Sequence, residues 1–476
     1  MRLTLFLICL ITGFNLSAQL TKSDVQKNIQ SRYSEYAGIA KEIWDYSEVG
    51  FQEYKSSRLL KTLLRKENFS IQDSVAGMPT AFVATYGSGK PVIAILGEYD
   101  ALPGVSQDNT PELKILDTRT AGHACGHHLF GTASAAASIE IKNWLQSNKK
   151  QGTIRFYGTP AEEGGSGKVY MVRDGLFKDV DVVLHWHPGD ENKASSGSSL
   201  ANKTGKFKFY GIASHASASP ERGRSALDGV EAMDAMVNMM REHVPSDTRI
   251  HYVITRGGEA PNVVPAFAEV YYYVRHPKAE QVISIWDRIE KAAQGAAMGT
   301  ETRVEAEVIG GDYKMVNNGT SSSEMDKNLR LVGGYTYTNE EKSFAEKIQA
   351  GFKSQTLKKL ESTQDIQPYV LTETAYPAST DVGDISWVVP TVGLSTATWV
   401  PGTAAHSWQA VAAGGTSIGF NGMMVAAKTI TGMAIDLFSN LVLIEEAWKE
   451  LKTRRGAAFE YKPMLGSRKP ALDYRK

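Results

Sequence analysis

Cysteine is scarce in this chain: only Cys9 and Cys125 occur among 476 residues. Two thiols cannot build a disulfide framework, so the fold has to rest on a buried core. Net charge is missing as well. Lys and Arg together number 52 and Asp and Glu together 52, giving a formal charge of zero and an isoelectric point near 7.2. With no global field, neither nucleic acid nor an anionic membrane surface is an expected partner. No repeat or low-complexity block stands out, and no run of about 20 apolar residues follows the first segment, so no membrane span is expected. What is present is ordinary globular usage, 42% hydrophobic and 22% charged, in a chain long enough for about three domains.

The N-terminus, MRLTLFLICLITGFNLSAQ, reads as a secretory signal. Arg2 supplies the positive start, residues 3–11 are almost continuously apolar, and Ser17 and Ala18 offer a small-residue cleavage site. The expectation is a signal peptide over 1–18 and a periplasmic or secreted protein; the bland alternative is a buried N-terminal helix. Cleavage leaves Cys125 as the lone thiol, which is then an inert core group, a nucleophile or a metal ligand.

Hydrophobic patterning predicts helices over 22–66 and strands at 80–86 and 91–96. An Ala-rich helix follows at 126–146, then strands at 153–157 and 181–186 with a short helix between. Strands alternating with helices indicate an α/β domain with a mainly parallel sheet. After about residue 200 the order changes to β-α-β-β-α-β, the ferredoxin-like arrangement, which predicts a second domain over 200–316 inserted into the first. The catalytic-type domain then comprises 19–199 and 317–476, with a strand at 391–396 and a basic tail from 456 from which no function is read.

Four polar clusters fall just after predicted strands or at a helix start, where ligands bind in open α/β sheets. GHACGHH carries His123, Cys125, His127 and His128, a thiolate–imidazole set suited to zinc-like ions, or else surface histidines beside a buried cysteine. GTPAEEGGSG carries Glu162 and Glu163, where one carboxylate can bind metal while its neighbour handles protons; a solvated acidic turn is the alternative. VVLHWHPGD carries His185 and His187, which at strand spacing face the same side, so either could serve as ligand. GTAAHSWQ carries His406, a lone histidine in a Gly-rich loop. The inserted segment adds His215, Asn262 and Arg275, which could equally be surface or fold-stabilising groups.

These motifs, together with GEYDALP, SHASASPERGRSALD, APNVVP and ASTDVGDISW, resemble in order and content the co-catalytic metal amidohydrolases. That family includes carboxypeptidases, aminoacylases and indole-acetyl-amino-acid hydrolases, and the likeness is strongest to its p-aminobenzoyl-glutamate hydrolase branch. The resemblance implies a catalytic α/β domain with an inserted lid that dimerises. It implies two divalent ions, zinc or manganese, held by Cys125, His127, Glu163, His187 and His406. Glu162 then corresponds to the general base for a metal-activated water. His215 corresponds to a lid histidine that reaches an active site, in its own or the partner subunit, and Asn262 and Arg275 to groups that hold the substrate carboxylate. Glu98 stands where other branches have a metal-binding His, and His128 where many relatives have Asp or Asn; the roles of Glu98, Asp100, His128 and His185 are left open.

The implied activity is metal-dependent hydrolysis of the amide bond of an N-acyl amino acid, most of all one like p-aminobenzoyl-glutamate, in a homodimer. The alternatives are an exported aminoacylase, dipeptidase or carboxypeptidase acting on another acyl amino acid, a cysteine hydrolase using Cys125, and a non-catalytic metal- or solute-binding protein.

Overall fold

The computed structural model describes residues 19–353, 356–375 and 377–475. The expected leader over 1–18, with Cys9, lies outside the described residues. The central sheet has six strands in the order Ser70–Asp73, Phe82–Ser88, Gly152–Gly158, Val92–Gly97, Val182–Leu184 and Thr391–Val392. The last four are mutually parallel, while Phe82–Ser88 pairs antiparallel on both sides. Val92–Gly97 is buried at every position, as a parallel strand covered on both faces has to be.

The connections explain where a site can form. Val92–Gly97 leads through the helix His127–Ser147 to Gly152–Gly158 on one side. The chain then returns through the helix Gly167–Arg173 to Val182–Leu184 on the other side. Right-handed crossovers that move in opposite directions place their helices on opposite faces, and a crevice opens at the strand ends where the order reverses. The segments beginning at Glu98, Thr159 and His185 all leave the sheet at this crevice. The Ala-rich helix His127–Ser147 lies close because its small residues allow it. A Cβ on Gly131 would stand 2.6 Å from the carbonyl oxygen of Glu98. At Gly126, φ is 77°, and a Cβ there would also meet the Pro188 ring at 2.6 Å, so the helix can begin beside 185–189 only with glycine at this position.

Two strands expected to be continuous divide instead. The strand expected over 181–186 stops at Leu184, and His187–Gly189 joins a separate three-stranded sheet with Lys193–Ala194 and Leu394–Ala397. The strand expected over 391–396 breaks at Gly393. Leu184 pairs with Val392 and His187 with Ser395, so the two chain segments keep register and leave the main sheet together. The His185 ring packs at the bend against Gly393, where any Cβ would collide with it. His185 and His187 therefore do not share one strand face.

Residues 201–312 form a four-stranded antiparallel sheet in the order Arg249–Arg256, Phe267–His276, Ala201–Tyr210, Arg303–Asp312. The helices Ala226–Met240 and Ala279–Gly299 cover the face made by Phe207, Phe209, Val270, Tyr272 and Val274. This core is distinct from that of the six-stranded sheet. By length and composition one helix, Ser417–Ser439, could cross a membrane, contrary to the expectation that no such run follows the leader. It is a core helix: 83% of its most apolar window is buried, and it packs against His127–Ser147.

Candidate metal and catalytic site

The crevice collects side chains from three strand ends and one distant loop. From the end of Val92–Gly97 come Glu98 and Asp100, both almost wholly buried. From the start of the long helix come Cys125 and His127. From the turn after Gly152–Gly158 come Glu162 and Glu163, and from the bend after Val182–Leu184 comes His187. His406 approaches from the far side of the domain, held where its backbone N–H donates to the Ala124 carbonyl at 3.0 Å. Its φ of 61° is left-handed, a conformation a histidine keeps only when its surroundings enforce it.

Donor atoms converge in three groups, each within 4.8 Å: Cys125 with His127 and His187; Cys125 with Glu163 and His406; and Glu98 with His127 and Glu162. Cys125 Sγ lies 3.3 Å from His187 Nε2. His406 Nε2 lies 3.1 Å from Glu163 Oε1, and His127 Nε2 lies 3.0 Å from Glu98 Oε2. Glu98 Oε2, His127 Nε2 and Glu163 Oε1 are buried without a well-formed hydrogen bond. Two donors coordinated tetrahedrally at about 2.0 Å sit roughly 3.3 Å apart, so close approach without hydrogen-bond alignment suits atoms aimed at a common cation. The residues present fit divalent metal.

The supporting contacts set the ligand forms. The His187 Nδ1–H donates to the Pro188 carbonyl at 2.7 Å, which leaves Nε2 as a lone pair toward Cys125. Burial and the neighbouring His127 push His187 down to about 4, so it is neutral at pH 7. His127 Nδ1 contacts Asp100 Oδ1 at 2.8 Å, the carboxylate–imidazole arrangement that orients a ligating histidine. Asp100 also accepts the Glu163 backbone N–H at 3.0 Å, tying two ligand-bearing segments together. Burial pushes the Cys125 thiol well up, so cation entry and thiol ionisation have to be coupled.

The two adjacent glutamates diverge. Burial, and then the charges of Glu98, Glu163 and Asp381, hold the Glu162 carboxyl well above its usual range. Burial acts upward on Glu163 too, but the hydrogen bond from His406 and the charge of His127 outweigh it and keep this carboxyl low. One neighbour is thus poised to hold a proton and the other to stay anionic, which is the division of labour a base beside a ligand needs.

Other expected residues lie elsewhere. His128 Nε2 donates to the Gly414 carbonyl at 2.9 Å, and its ring packs against His123 with ring centres 4.9 Å apart. Both are buried, outside the three donor groups, and His123 contacts the Ile43 carbonyl at 3.0 Å. His185 is buried with Nε2 unpartnered, against Gly393. His215 and Asn262 adjoin each other on the outer surface of the inserted sheet domain, where the Asn262 carbonyl accepts the Ala216 N–H at 3.0 Å. The His215 Nδ1 accepts the Ala218 N–H at 3.1 Å, so Nε2 is left as a donor. Arg275 is half-buried, its guanidinium 4.5 Å from the Tyr273 ring centre. Among the described residues, no hydrogen bond or ion pair joins these three to the Cys125 cluster.

Sequence reasoning missed a buried charged relay beneath the site. Lys168 Nζ lies 2.7 Å from both Glu98 Oε1 and Asp381 Oδ1, with the lysine and aspartate side chains fully buried. It also missed Glu53, which accepts the Ala161 N–H at 2.9 Å and the Thr80 hydroxyl at 2.8 Å. Nothing in the local sequence of Lys168 or Glu53 signals these contacts, whereas Asp381 sits inside the ASTDVGDISW motif.

An α/β sheet with a carboxylate, thiol and imidazole cage at its switch point, and an inserted ferredoxin-like domain, defines an amide-bond hydrolase of the metallopeptidase class. The chain belongs to the M20 family. A family model described as a peptidase dimerisation domain matches residues 201–301. One of the two kinds of polypeptide that make up the p-aminobenzoyl-glutamate hydrolase of Escherichia coli is 40% identical to it over 446 residues, covering 89% of this chain and 93% of that one. The Xaa-Arg dipeptidase of Mus musculus is 27% identical, over 92% and 93% of the two chains. The fold matches the YxeP protein of Bacillus subtilis, a dinuclear metal-binding peptidase of the M20 family, with a TM-score of 0.55 at 16% identity, covering 86% and 99%.

Proposed function

We propose that this hydrolase cleaves the amide bond of an N-acyl amino acid of the p-aminobenzoyl-glutamate type, with two divalent cations held by Cys125, His127, Glu163, His187 and His406. The observation that carries the reading is the set of converging donor groups whose buried atoms lack other partners. The 40% identity to a p-aminobenzoyl-glutamate hydrolase polypeptide supports the substrate. A thiolate with three imidazoles favours zinc, and the carboxylates also admit manganese.

Water is a poor nucleophile and an amine a poor leaving group, so amide hydrolysis needs help at both ends. The bound cations supply Lewis-acid charge that lowers the pKa of a water and polarises a carbonyl. Glu162 takes the proton from the attacking water and later delivers it to the departing nitrogen, a task suited to a carboxyl whose affinity for protons is raised. Asp100 keeps His127 and the Glu163 backbone in place during both transfers. His215 donates from Nε2 to the developing oxyanion, and Asn262 and Arg275 hold the substrate carboxylate. These three act on a substrate that bridges the two domains, in their own or the partner subunit.

The working assembly is a homodimer formed through the inserted domain. The matched dimerisation model supports this, as does the unpaired edge strand Arg249–Arg256, where Val253 and Ile254 are exposed beside Met236 and Met239 of the neighbouring helix. Residues 1–18 export the chain to the periplasm or beyond. A second reading, a dipeptidase, is favoured by the near full-length match to the Xaa-Arg dipeptidase.

A hydrolysis screen of metal-loaded enzyme tests the choice, comparing p-aminobenzoyl-glutamate, hippurate-like acyl amino acids and dipeptides with and without chelator. The reading requires p-aminobenzoyl-glutamate to be cleaved fastest and chelator to abolish cleavage. Faster dipeptide cleavage favours the second reading. Activity that survives chelator but is lost on thiol alkylation removes the metal account and leaves a cysteine hydrolase.

A further inference from the structure

The turn that carries Glu162 and Glu163 has a backbone that L-residues resist. Ala161 has φ 56° and ψ 44°, Gly164 has φ 89°, and Ser166 has φ 52° and ψ 46°. Three of six consecutive residues are thus left-handed, and two of them carry a Cβ. Glu163 itself has ψ 67°, outside the helical range. Because ψ sets where a carbonyl points, the Glu163 C=O is swung out of the helical direction, and this same irregular turn separates the two neighbouring carboxylates. Glu162 goes to the group with Glu98 and His127, and Glu163 to the group with Cys125 and His406. Such a backbone persists only where its surroundings over-determine it.

The far end of the chain provides that constraint. The Tyr474 hydroxyl donates to the Glu163 carbonyl at 3.0 Å, and Arg475 Nη2 donates to the same oxygen at 2.8 Å. Both lone pairs of this one oxygen are therefore engaged by residues more than 300 positions away. The tail does not arrive loosely. Arg468 pairs with Glu307 of the inserted domain at 3.1 Å, and the Gln52 amide donates to the Leu472 carbonyl at 2.8 Å. The Tyr474 ring meets Phe51 edge-on at 5.7 Å, and Gly50 leaves room for its hydroxyl, since any Cβ there would strike it.

We propose that Tyr474 and Arg475 are positioning residues of the hydrolytic site, the end of a C-terminal strap that fixes the Glu162–Glu163 peptide so that base and ligand point to separate places. The proposal rests on the reading of Glu162 and Glu163 given under the proposed function. It assigns the two residues no contact with substrate.

The test uses the full-length, metal-loaded protein and four variants: Tyr474→Phe, Arg475→Met, the double variant, and Arg475→Lys. Three quantities are read: kcat and KM on the best amide from the screen, the rate at which chelator strips metal with no substrate present, and the thermal unfolding midpoint. In the double variant kcat falls about 10–100-fold, the range seen when groups behind a metal ligand are removed. KM stays within about threefold, because ground-state binding does not pass through this peptide. Metal is stripped faster by a comparable factor, and the unfolding midpoint does not move. Arg475→Lys, whose ammonium can still donate, keeps kcat and the stripping rate near those of the parent chain. The proposal is overturned if the double variant keeps the parent kcat or the parent stripping rate, or if its losses come with a lowered midpoint that Arg475→Lys shares. Should the parent chain cleave none of the amides, the hydrolytic reading falls, and the substrate-free stripping rates still decide the strap.

Discussion

Replacing Glu162 by glutamine separates proton transfer from metal binding. The amide keeps the shape of the carboxyl but cannot take a proton from water. Loss of a general base typically costs about 10²–10⁴ in rate, which corresponds to roughly 2.7–5.5 kcal/mol of barrier at 1.36 kcal/mol per tenfold. The structure adds a second expectation. Glu162 is crowded by the charges of Glu98, Glu163 and Asp381, so removing one carboxylate relieves repulsion in the cation-free protein. Glu162→Gln should therefore lose turnover, retain its metal content by elemental analysis, and unfold at a higher temperature than the parent when both are metal-free. Hydrolysis is followed by release of the free amine, and stability by calorimetry of the chelator-treated proteins. Activity within tenfold of the parent would refute the base assignment, and loss of metal in step with activity would make Glu162 a ligand instead.

Two more predictions concern groups outside the reacting set. Lys168→Met strands two buried carboxylates, Glu98 and Asp381, each 2.7 Å from the lost ammonium; breaking a buried pair this way costs about 3–5 kcal/mol. A urea midpoint that moves by less than the equivalent of about 1 kcal/mol would show that the network relaxes. In the inserted domain, burial raises Asp234 from 3.8 to about 6, with Tyr272 donating to it. The folded form then holds its proton more tightly than the unfolded one, so this contribution to stability is fullest below about 4 and is lost as pH rises through about 6. Asp234→Asn should flatten that part of the stability–pH curve, and an unchanged slope would count against it.

The site was legible in sequence where its chemistry uses uncommon residue types at strand ends. Cys125, His127, Glu163, His187 and His406 are brought together from positions nearly 300 residues apart, because the parallel sheet delivers its loops to one edge. The β-α-β-β-α-β order of 201–312 was equally legible, since each element is long and strongly periodic. The bend after Leu184 was not. Alternation of His185 and His187 suggests one strand, but the turn depends on Gly393, about 200 residues later, accepting the His185 ring. Lys168, Glu53, Tyr474 and Arg475 were invisible for a related reason: an ion pair or a capped carbonyl is a property of tertiary neighbours, and a lysine or tyrosine in isolation reads as surface. His215, Asn262 and Arg275 were legible as motif residues, but their place on a separate domain makes their role depend on how substrate bridges the two units.

Convergence of thiolate, imidazole and carboxylate donors on divalent cations underlies every chemical role assigned to these residues. Elemental analysis of the parent chain and of Cys125→Ala, each freed of loose metal by desalting, measures it directly. The expected result is about two divalent ions per parent chain, as a dinuclear donor set requires, and fewer in the variant. A full complement in Cys125→Ala, or a parent chain that retains none, would contradict it.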